Sequence, residues 1–214
     1  MKLYDHFRST ASYRVRITLG LKGLPYERMP VNLREGAQHT PEFRGLNPQG
    51  LIPLLEDGKA AITQSLAIIE YLEETHPQPP LLPSSALERA RVRSMALAVA
   101  CDMHPLNNLR VLEFLRGPLG LKEPQVTGTW YGHWIAQGFA GLEEEARRFS
   151  SDGRHMFGAT LTLADVCIVP QMYNAIRFKC DVAPYPTLRG ICSYLERLPA
   201  FAAAAPDAIS AGAT

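Results

Sequence analysis

Three hydroxyl side chains that could take part in chemistry, those of Ser9, Thr10 and Ser12, lie close together near the start of the chain. They follow Lys2 to His6, where polar and apolar residues alternate as in a strand, and they precede a run with helical spacing. Backbone N–H groups at a helix start stabilise anions, so a hydroxyl here can donate to an oxyanion or a thiolate. The alternative is that Ser9 or Ser12 only caps the helix.

Two more polar motifs lie at predicted junctions of the same region. The segment Gln49-Gly-Leu-Ile-Pro53 includes a proline beside a predicted strand, where a cis bond exposes neighbouring backbone groups. Such backbone either pairs with a peptide-like ligand as an added strand or is an ordinary start of a strand. Gln64 and Ser65 stand at a predicted helix N terminus, which is either a carboxylate site or a plain cap.

The second half of the chain has a segment that is unusually polar for a helix interior. Its side chains cannot all face a core without partners, so they form either a solvated face beside Pro105 or a wall of an interdomain cleft. Arg177 ends an apolar helix that starts near Thr162, where it complements the helix dipole or binds a substrate carboxylate. The polar residues of the segment are Asp102, His104, Asn107, Asn108 and Arg110.

The elements that must position these residues fall into two groups. The first 80 residues read as a βαβ unit followed by a ββα unit, with a loop over Pro41 to Gly50. A right-handed crossover makes the first two strands parallel. The predicted strands span 2–6, 26–31, 51–56 and 60–63, and the predicted helices span 12–24 and 65–75.

A proline-rich boundary at His76–Pro83 separates this region from a second one in which every predicted element is a helix. The tail after Pro199 is alanine-rich and is expected to be frayed or loosely packed. The sequence therefore predicts domains at 1–80 and 85–214, and the fold class is α/β plus all-α. The predicted helices open near Ser85, with an interruption at Pro105, and then span 130–149, 162–178 and 186–198.

Composition excludes several function classes. The chain has 214 residues, of which 46% are hydrophobic, so disorder is excluded as the main state. Lys and Arg number 22 against 21 Asp and Glu, so no basic excess indicates nucleic acid as a partner. No stretch approaches the ~20 apolar residues of a membrane span. Asp5, His6 and Arg8 interrupt any signal-peptide core, so export is not expected.

The four cysteines form no CxxC pair and match no zinc-site spacing, so we expect no metal. Buried, reduced thiols of a cytoplasmic protein fit this pattern best, and a catalytic cysteine is the less favoured alternative. The four are Cys101, Cys167, Cys180 and Cys192.

Together these motifs resemble the cytosolic glutathione transferases over nearly the whole chain, and within them the zeta class. The resemblance implies a thioredoxin-like βαβ-ββα N-terminal domain followed by an all-helical C-terminal domain. The first and last of the motifs are specific to the class, and the middle two are shared more broadly among glutathione transferases. The motifs are Phe7-Arg-Ser-Thr-Ala-Ser-Tyr-Arg-Val-Arg-Ile17, Asn47-Pro-Gln-Gly-Leu-Ile-Pro53, Gln64-Ser65 and Arg177-Phe-Lys-Cys-Asp-Val-Ala-Pro-Tyr-Pro186.

The chain departs from the class pattern at one point that bears on chemistry. Where the zeta pattern usually has Ser-Ser-Cys, this chain has Ser9-Thr10-Ala11, so both hydroxyls are kept and the cysteine is absent. The aromatic residue two positions on is Tyr13 rather than tryptophan. These changes bear on side reactions and substrate range more than on the main chemistry.

The resemblance implies a role for each candidate residue. Ser9, with Thr10 as the second hydroxyl, activates the thiol of glutathione, and the backbone of Ile52 beside a cis Pro53 pairs with its cysteinyl part. Cationic side chains bind the carboxylate and keto groups of the substrate; the candidates are Arg8, Arg110 and Arg177. The remaining contacts to glutathione are assigned to Gln49, Gln64, Ser65, His104 and Asn108.

The activity implied is glutathione-dependent cis–trans isomerisation of maleylacetoacetate or maleylpyruvate, keto-acid intermediates of aromatic catabolism. The alternative on the same site is a transferase that conjugates glutathione to small electrophiles such as α-halo acids, and a further alternative is a non-catalytic binding protein. The resemblance also implies a homodimer in the cytoplasm.

Overall fold

The computed structural model describes residues 1–211. Its internal contacts divide the chain into two units, one formed by Met1–Pro80 together with the chain from Leu198 onward, the other by Leu81–Arg197. The predicted scheme of 1–80 and 85–214 differs from this division in the tail, whose contacts lie with the first unit. We call these the first unit and the helical unit.

The sheet of the first unit has the mixed topology of a βαβ-ββα fold. Strand β1 pairs in parallel with β2 and antiparallel with β3, and β3 pairs antiparallel with β4, which gives the order β2-β1-β3-β4. The parallel pairing predicted for the first two strands is confirmed. The strands are β1 (Lys2–Asp5), β2 (Glu27–Pro30), β3 (Leu54–Asp57) and β4 (Ala60–Thr63).

Within residues 1–80, three helices alternate with the strands: α1 (Thr10–Leu21) follows β1, α2 (Pro41–Leu46) follows β2, and α3 (Ser65–Thr75) follows β4. The loop predicted over Pro41 to Gly50 was wrong in its first half, because Thr40 caps α2 by accepting from the Phe43 N–H and Pro41 suits the first helical turn. Single 3₁₀ turns, Leu33–Glu35 and Ala37–His39, precede α2. Ser65 is the first residue of α3 rather than its cap, a position taken by Gln64.

The helical unit contains α4 (Ala86–Leu97), α5 (Leu109–Arg116), α6 (Gly132–Phe149), α7 (Leu163–Arg177) and α8 (Pro186–Leu195). π-helical turns extend α4 over Ala98–Met103 and precede α6 over Pro124–Tyr131. The interruption predicted at Pro105 is observed between Met103 and α5, because proline cannot donate to the helical ladder.

Helix α7 is the buried centre of the helical unit. Twelve of its fifteen residues are buried, and its N terminus carries a capping box formed by Thr162 and Asp165. The Asp165 carboxylate accepts from Thr162 N at 2.8 Å and from the Thr162 hydroxyl at 2.9 Å. It also accepts from Met156 N at 2.7 Å, so one buried acid joins the start of α7 to the preceding loop.

The alanine-rich tail is ordered rather than frayed as far as Ala211, which corrects the prediction for this segment. It forms α9 (Pro199–Ala204) and α10 (Pro206–Ala211). Phe201 has no exposed surface, and the carbonyl of Phe201 accepts a hydrogen bond from the Tyr13 hydroxyl at 3.2 Å. The tail is therefore a packed part of the first unit, and one of the residues that link it to α1 is Tyr13, the aromatic of the Ser9 motif.

Candidate active site

Ser9 is the accessible hydroxyl of the three at the start of α1. It is the N-cap residue, and its Oγ accepts a hydrogen bond from Ser12 N at 3.2 Å. Thr10 and Ser12 are buried, whereas Ser9 is only half-buried. Within residues 1–211 the Ser9 hydroxyl donates no hydrogen bond, so its proton remains available to a ligand at the N terminus of α1.

Two hydrogen bonds to backbone carbonyls fix the turn that carries Ser9. Ser9 N donates to the His6 carbonyl at 2.9 Å, and Arg16 Nη2 donates to the Phe7 carbonyl at 2.9 Å. Arg8 is exposed, with its guanidinium 5.0 Å from the centre of the Phe7 ring. Arg8 therefore has room to meet an anionic ligand beside Ser9.

Gln49 and Gln64, predicted separately, are brought together. Gln64 Nε2 donates to Gln49 Oε1 at 2.9 Å on the exposed surface of the first unit. Asn47 shapes the loop that carries Gln49 and leads into β3. Its side-chain amide donates to the Leu51 carbonyl at 2.6 Å, and its amide oxygen accepts from Gln49 N at 3.1 Å. Gln64 has φ 69°, a strained backbone for a residue with a side chain, and such positions cluster at ligand sites.

The N terminus of α3 has a buried cation beneath it. Arg14 Nη1 donates to Ser65 Oγ at 3.3 Å, and only 1% of Arg14 is exposed. A guanidinium cannot lose its proton in a protein, so it adds a permanent positive charge to the helix N terminus. The partial positive charge of the helix N terminus and the charge of Arg14 therefore both favour an anion that binds the first turn of α3.

The Ile52–Pro53 peptide bond is cis, as the motif allowed, and Pro53 is buried just ahead of β3. Ile52 itself is half-buried. Across residues 1–211 neither its N–H nor its carbonyl makes a backbone hydrogen bond. A peptide-like ligand can pair with both groups in the manner of an added strand.

In the helical unit, Asn108 caps α5 and Arg110 lies in its first turn. The Asn108 amide oxygen accepts from Arg110 N at 3.2 Å, and the Arg110 side chain is exposed. His104 is half-buried at the end of the π-helical turn, where its backbone N–H donates to the Val99 carbonyl at 2.9 Å. Of the predicted residues in this segment, Asp102 and Arg110 are the exposed charges, and Arg110 is the cation.

Arg177 is the last residue of α7, and three neighbours orient it. Its Nε donates to Asn174 Oδ1 at 3.2 Å, and its guanidinium carbon lies 4.4 Å from the centre of the Phe178 ring. Phe178 stacks in turn on Tyr131 with ring centres 4.2 Å apart. Burial raises the pKa of the Tyr131 phenol, and the nearby Arg177 charge works against that rise. The result is an exposed cation on a layered aromatic support.

Sequence reasoning missed several supporting residues. Arg14 and Arg16 do point to different partners, as residues two apart on a helix must, but nothing in their spacing shows that both are buried. The fold supplies that information: every residue of α1 from Thr10 to Leu19 is buried, and a cation there requires a partner. The aromatic support of Arg177 depends on Tyr131, 46 positions earlier in the chain, so no local pattern could reveal it.

Two of the four cysteine thiols are poor candidates for nucleophiles. No disulfide joins any of the four, and burial raises the pKa of Cys180 to about 11 and that of Cys192 well above its usual range. Cys167 and Cys192 are buried as expected, whereas Cys180 is half-buried and Cys101 is exposed, so the expectation of buried thiols is wrong for these two. Among residues 1–211 no group of three His, Cys, Asp or Glu side chains could hold a metal ion. In the same part of the chain, no helix combines the length and apolar character needed to cross a membrane.

Comparison with known proteins places the chain in a family. A family model described as "Glutathione S-transferase, N-terminal domain" matches residues 3–80. The "Probable maleylacetoacetate isomerase" of Vibrio cholerae is 52% identical over 96% of this chain and 95% of its own length. A solved structure described as a holo maleylpyruvate isomerase, "a bacterial glutathione-s-transferase in Zeta class", has a TM-score of 0.95 at 46% identity, covering 97% of this chain and 98% of the other.

The chain belongs to the zeta-class glutathione transferases. A maleylacetoacetate isomerase from Methylobacterium extorquens, solved with bound malonate and glutathione, superposes on this zeta-class chain with a TM-score of 0.93 at 40% identity. The alignment covers 97% of each chain. The predicted fold class, a thioredoxin-like domain followed by a helical one, is confirmed.

Proposed function

We propose that this zeta-class protein is a glutathione-dependent cis–trans isomerase that acts on maleylacetoacetate or maleylpyruvate. The observation that carries the proposal is Ser9, an accessible hydroxyl with an undonated proton at the N terminus of α1. Relatives named as isomerases of these two substrates align with nearly the whole chain, which supports the same substrate class here.

The residues of the first unit fit glutathione as a ligand. Its peptide part pairs with the unpaired backbone of Ile52 beside Pro53. Its γ-glutamyl carboxylate binds at the first turn of α3, where Ser65 and the buried Arg14 favour an anion. Gln64 supplies amide contacts to the same end of the ligand. The other polar contacts to the tripeptide are assigned to Gln49, His104 and Asn108.

Ser9 holds the sulfur in its reactive state. Its hydroxyl donates to the sulfur, and the partial positive charge at the start of α1 favours the thiolate over the thiol. Thr10 is buried in the same turn, so we assign it a supporting role in shaping the turn rather than direct donation. Both effects lower the pKa of the bound thiol, which raises the thiolate fraction near neutral pH.

Arginine side chains stabilise the substrate's negative charges. Arg177 and Arg110 are exposed cations of the helical unit, and Arg8 is an exposed cation next to Ser9. We assign them to the carboxylate and keto groups of the substrate, with Arg177 as the main carboxylate partner because Asn174 and Phe178 orient its fork. Charge that develops on the keto oxygen during isomerisation is then met by a fixed donor.

When bound, glutathione supplies a thiolate that adds to one alkene carbon and leaves after the new single bond has rotated. The chain's part is to hold that thiolate, bind both carboxylate-bearing arms and neutralise the keto oxygen. Rotation before the thiolate leaves gives the trans isomers, fumarylacetoacetate or fumarylpyruvate. Glutathione acts as a cofactor because its thiol is regenerated.

We also propose a cytoplasmic homodimer. Four cysteines that form no disulfide and a thiol cofactor suit a reducing compartment. Large apolar side chains of α4 and α5 are exposed in the single chain, among them Leu87 at 60% and Phe114 at 55%, and burial of such side chains favours self-association. Sedimentation velocity tests this by separating a 23.7 kDa monomer from a species of twice that mass.

The direct test follows the enol absorbance of maleylpyruvate with enzyme, with and without glutathione, while free thiol is titrated in parallel. Glutathione-dependent formation of the trans isomer with no loss of thiol is expected. We expect Ser9→Ala to lower kcat/KM about 100-fold, the usual order for loss of one charge-stabilising donor. Ser193→Ala, a change at an exposed serine of α8, is the matched control and should leave kcat/KM unchanged.

Two outcomes contradict the proposal in different ways. Thiol consumption with an α-halo acid, without isomerisation, identifies a conjugating transferase on the same Ser9 site. Full isomerase activity in Ser9→Ala removes Ser9 as the activating hydroxyl.

A further inference from the structure

A buried ion network lies behind the turn that carries Ser9. Asp5 binds Arg16 Nη1 at 2.7 Å and Arg28 Nη2 at 2.9 Å, and the side chains of Asp5 and Arg16 have no exposed surface. Burial lowers the pKa of the Arg16 guanidinium, while the Asp5 carboxylate opposes that effect. Arg16 is therefore held in place by packing and by its counter-ion.

Arg16 also donates to two backbone carbonyls that are far apart in sequence. Its Nη2 donates to the carbonyl of Phe7, two residues before Ser9, at 2.9 Å, and its Nε donates to the carbonyl of Ala204 at 3.0 Å. The guanidinium is rigid and planar, so its three acceptors keep fixed positions relative to one another. A lysine at this position has a single ammonium and cannot reproduce that fork.

The Ala204 contact brings the C-terminal helix into the same assembly. Helix α9 also accepts from Tyr13 through the Phe201 carbonyl, and a methyl group added at Gly20 would meet Ala200 Cβ at 3.3 Å. Helices α1 and α9 therefore pack closely along about two turns of α1. The Ala204 carbonyl is a firm support for Arg16, since Ala204 is 4% exposed.

We propose that Arg16 is a positioning residue that fixes the Phe7–Ser9 turn against helix α9 and so sets the hydrogen bond from Ser9 to the glutathione sulfur. This inference rests on the proposed function, because it takes Ser9 as the donor to that sulfur. Arg16 acts through the Phe7 carbonyl and touches neither glutathione nor substrate.

The test measures the pKa of the enzyme-bound glutathione thiol from the ultraviolet absorbance of the thiolate as pH is varied. In Arg16→Lys we expect this pKa to rise by about one unit, since part of the stabilisation of the thiolate is lost. Affinity for S-methylglutathione, which has no thiol proton, should stay within about twofold because the peptide contacts are unchanged.

Arg28→Lys is the matched control. Arg28 shares the Asp5 carboxylate with Arg16 but makes no hydrogen bond to the Phe7 carbonyl. It should leave the thiol pKa at the wild-type value. Equal shifts in both variants, or no shift in Arg16→Lys, overturn the inference, because the network would then act only as general support.

Ser9→Ala separates failure of this inference from failure of the proposed function. Loss of the thiolate absorbance in Ser9→Ala with an unshifted pKa in Arg16→Lys overturns the inference alone. Wild-type thiolate absorbance in Ser9→Ala overturns the activating role of Ser9, and the inference falls with it.

A measurement on the wild-type protein keeps the inference testable even if Arg16→Lys does not fold. Hydrogen–deuterium exchange is followed for segments 7–12 and 199–204 with and without glutathione. Because Arg16 ties the two segments together, glutathione should slow exchange in both. Protection of 7–12 alone overturns the inference.

Discussion

The two units hold their candidate site residues by different physical means. In the first unit, buried charges stand behind the site: Arg14 lies beneath Ser65, and Arg16 lies behind the turn of Ser9. In the helical unit, Arg177 is exposed and rests on Asn174 and an aromatic ring. The first set is fixed by buried guanidinium contacts, which for Arg16 include a desolvated ion pair with Asp5, and the second by contacts that water can enter.

The difference matches what we propose that each set recognises. Activation of a sulfur requires one hydrogen bond of fixed geometry, and a small displacement of the donor weakens it steeply. A carboxylate on a flexible keto acid tolerates several approaches of a guanidinium fork. We therefore expect changes behind Ser9 to be costly and changes near Arg177 to be graded, and three predictions examine this contrast.

The largest effect is expected for Asp5→Ala. It leaves buried Arg16 without its counter-ion, and breaking a buried pair in this way typically costs about 3–5 kcal/mol of folding free energy. Urea unfolding should show a lower midpoint with an unchanged slope. The control is Glu144→Ala, which breaks an exposed ion pair with Arg147 and should leave the midpoint almost unmoved. Similar midpoints for both variants would contradict the role given to burial.

An intermediate effect is expected for Arg177→Ala. Loss of a charge-assisted fork should lower kcat/KM on the keto-diacid substrate about 30-fold. Thermal unfolding should be unchanged, because the side chain is exposed. Arg189→Ala removes an exposed arginine of α8 and is expected to keep full activity. Equal activities of the two variants would exclude Arg177 from the site.

The smallest effect is expected for Phe178→Leu, which removes the ring beneath the Arg177 guanidinium. A cation–π contact at an exposed site contributes little, so KM should rise about threefold while kcat is unchanged. Phe114→Leu makes the same change at an exposed phenylalanine of α5 and should leave both constants unchanged. A fall in kcat without a change in KM would show that the ring does more than orient Arg177.

Regular elements with local indications were predicted well from sequence. The bounds of α3 and β4 match the predictions. The turn dipeptide Asp57-Gly58 precedes β4, and an apolar helical pattern marks α3. Helix α2 was missed because six residues with Pro41 and Gly45 carry too little periodicity, and the cap at Thr40 forms it. The order of the tail was missed because its stability comes from packing on α1, which the alanine-rich sequence does not encode locally.

The candidate site shows the same contrast between residues that local patterns mark and residues that only long-range packing places. Motifs placed Ser9, Gln49, Gln64 and Ser65 on the first unit, because they lie at element junctions that local patterns mark. The groups that support them could not be placed from sequence. Arg16 reaches Ala204 across 188 positions, and Arg14 reaches Ser65 across 51, and such pairings arise only when the fold is complete.

The return of α9 to α1 has a consequence for how the protein is made. During synthesis on a ribosome the helical unit emerges as one uninterrupted stretch, whereas the first unit has to wait for a segment translated after it. Until then the α9 carbonyls that accept from Tyr13 and Arg16 are missing. A gene fragment cut at residue 80 would encode a polypeptide without these contacts, so we expect the first unit to lose stability when it is moved into another protein without α9.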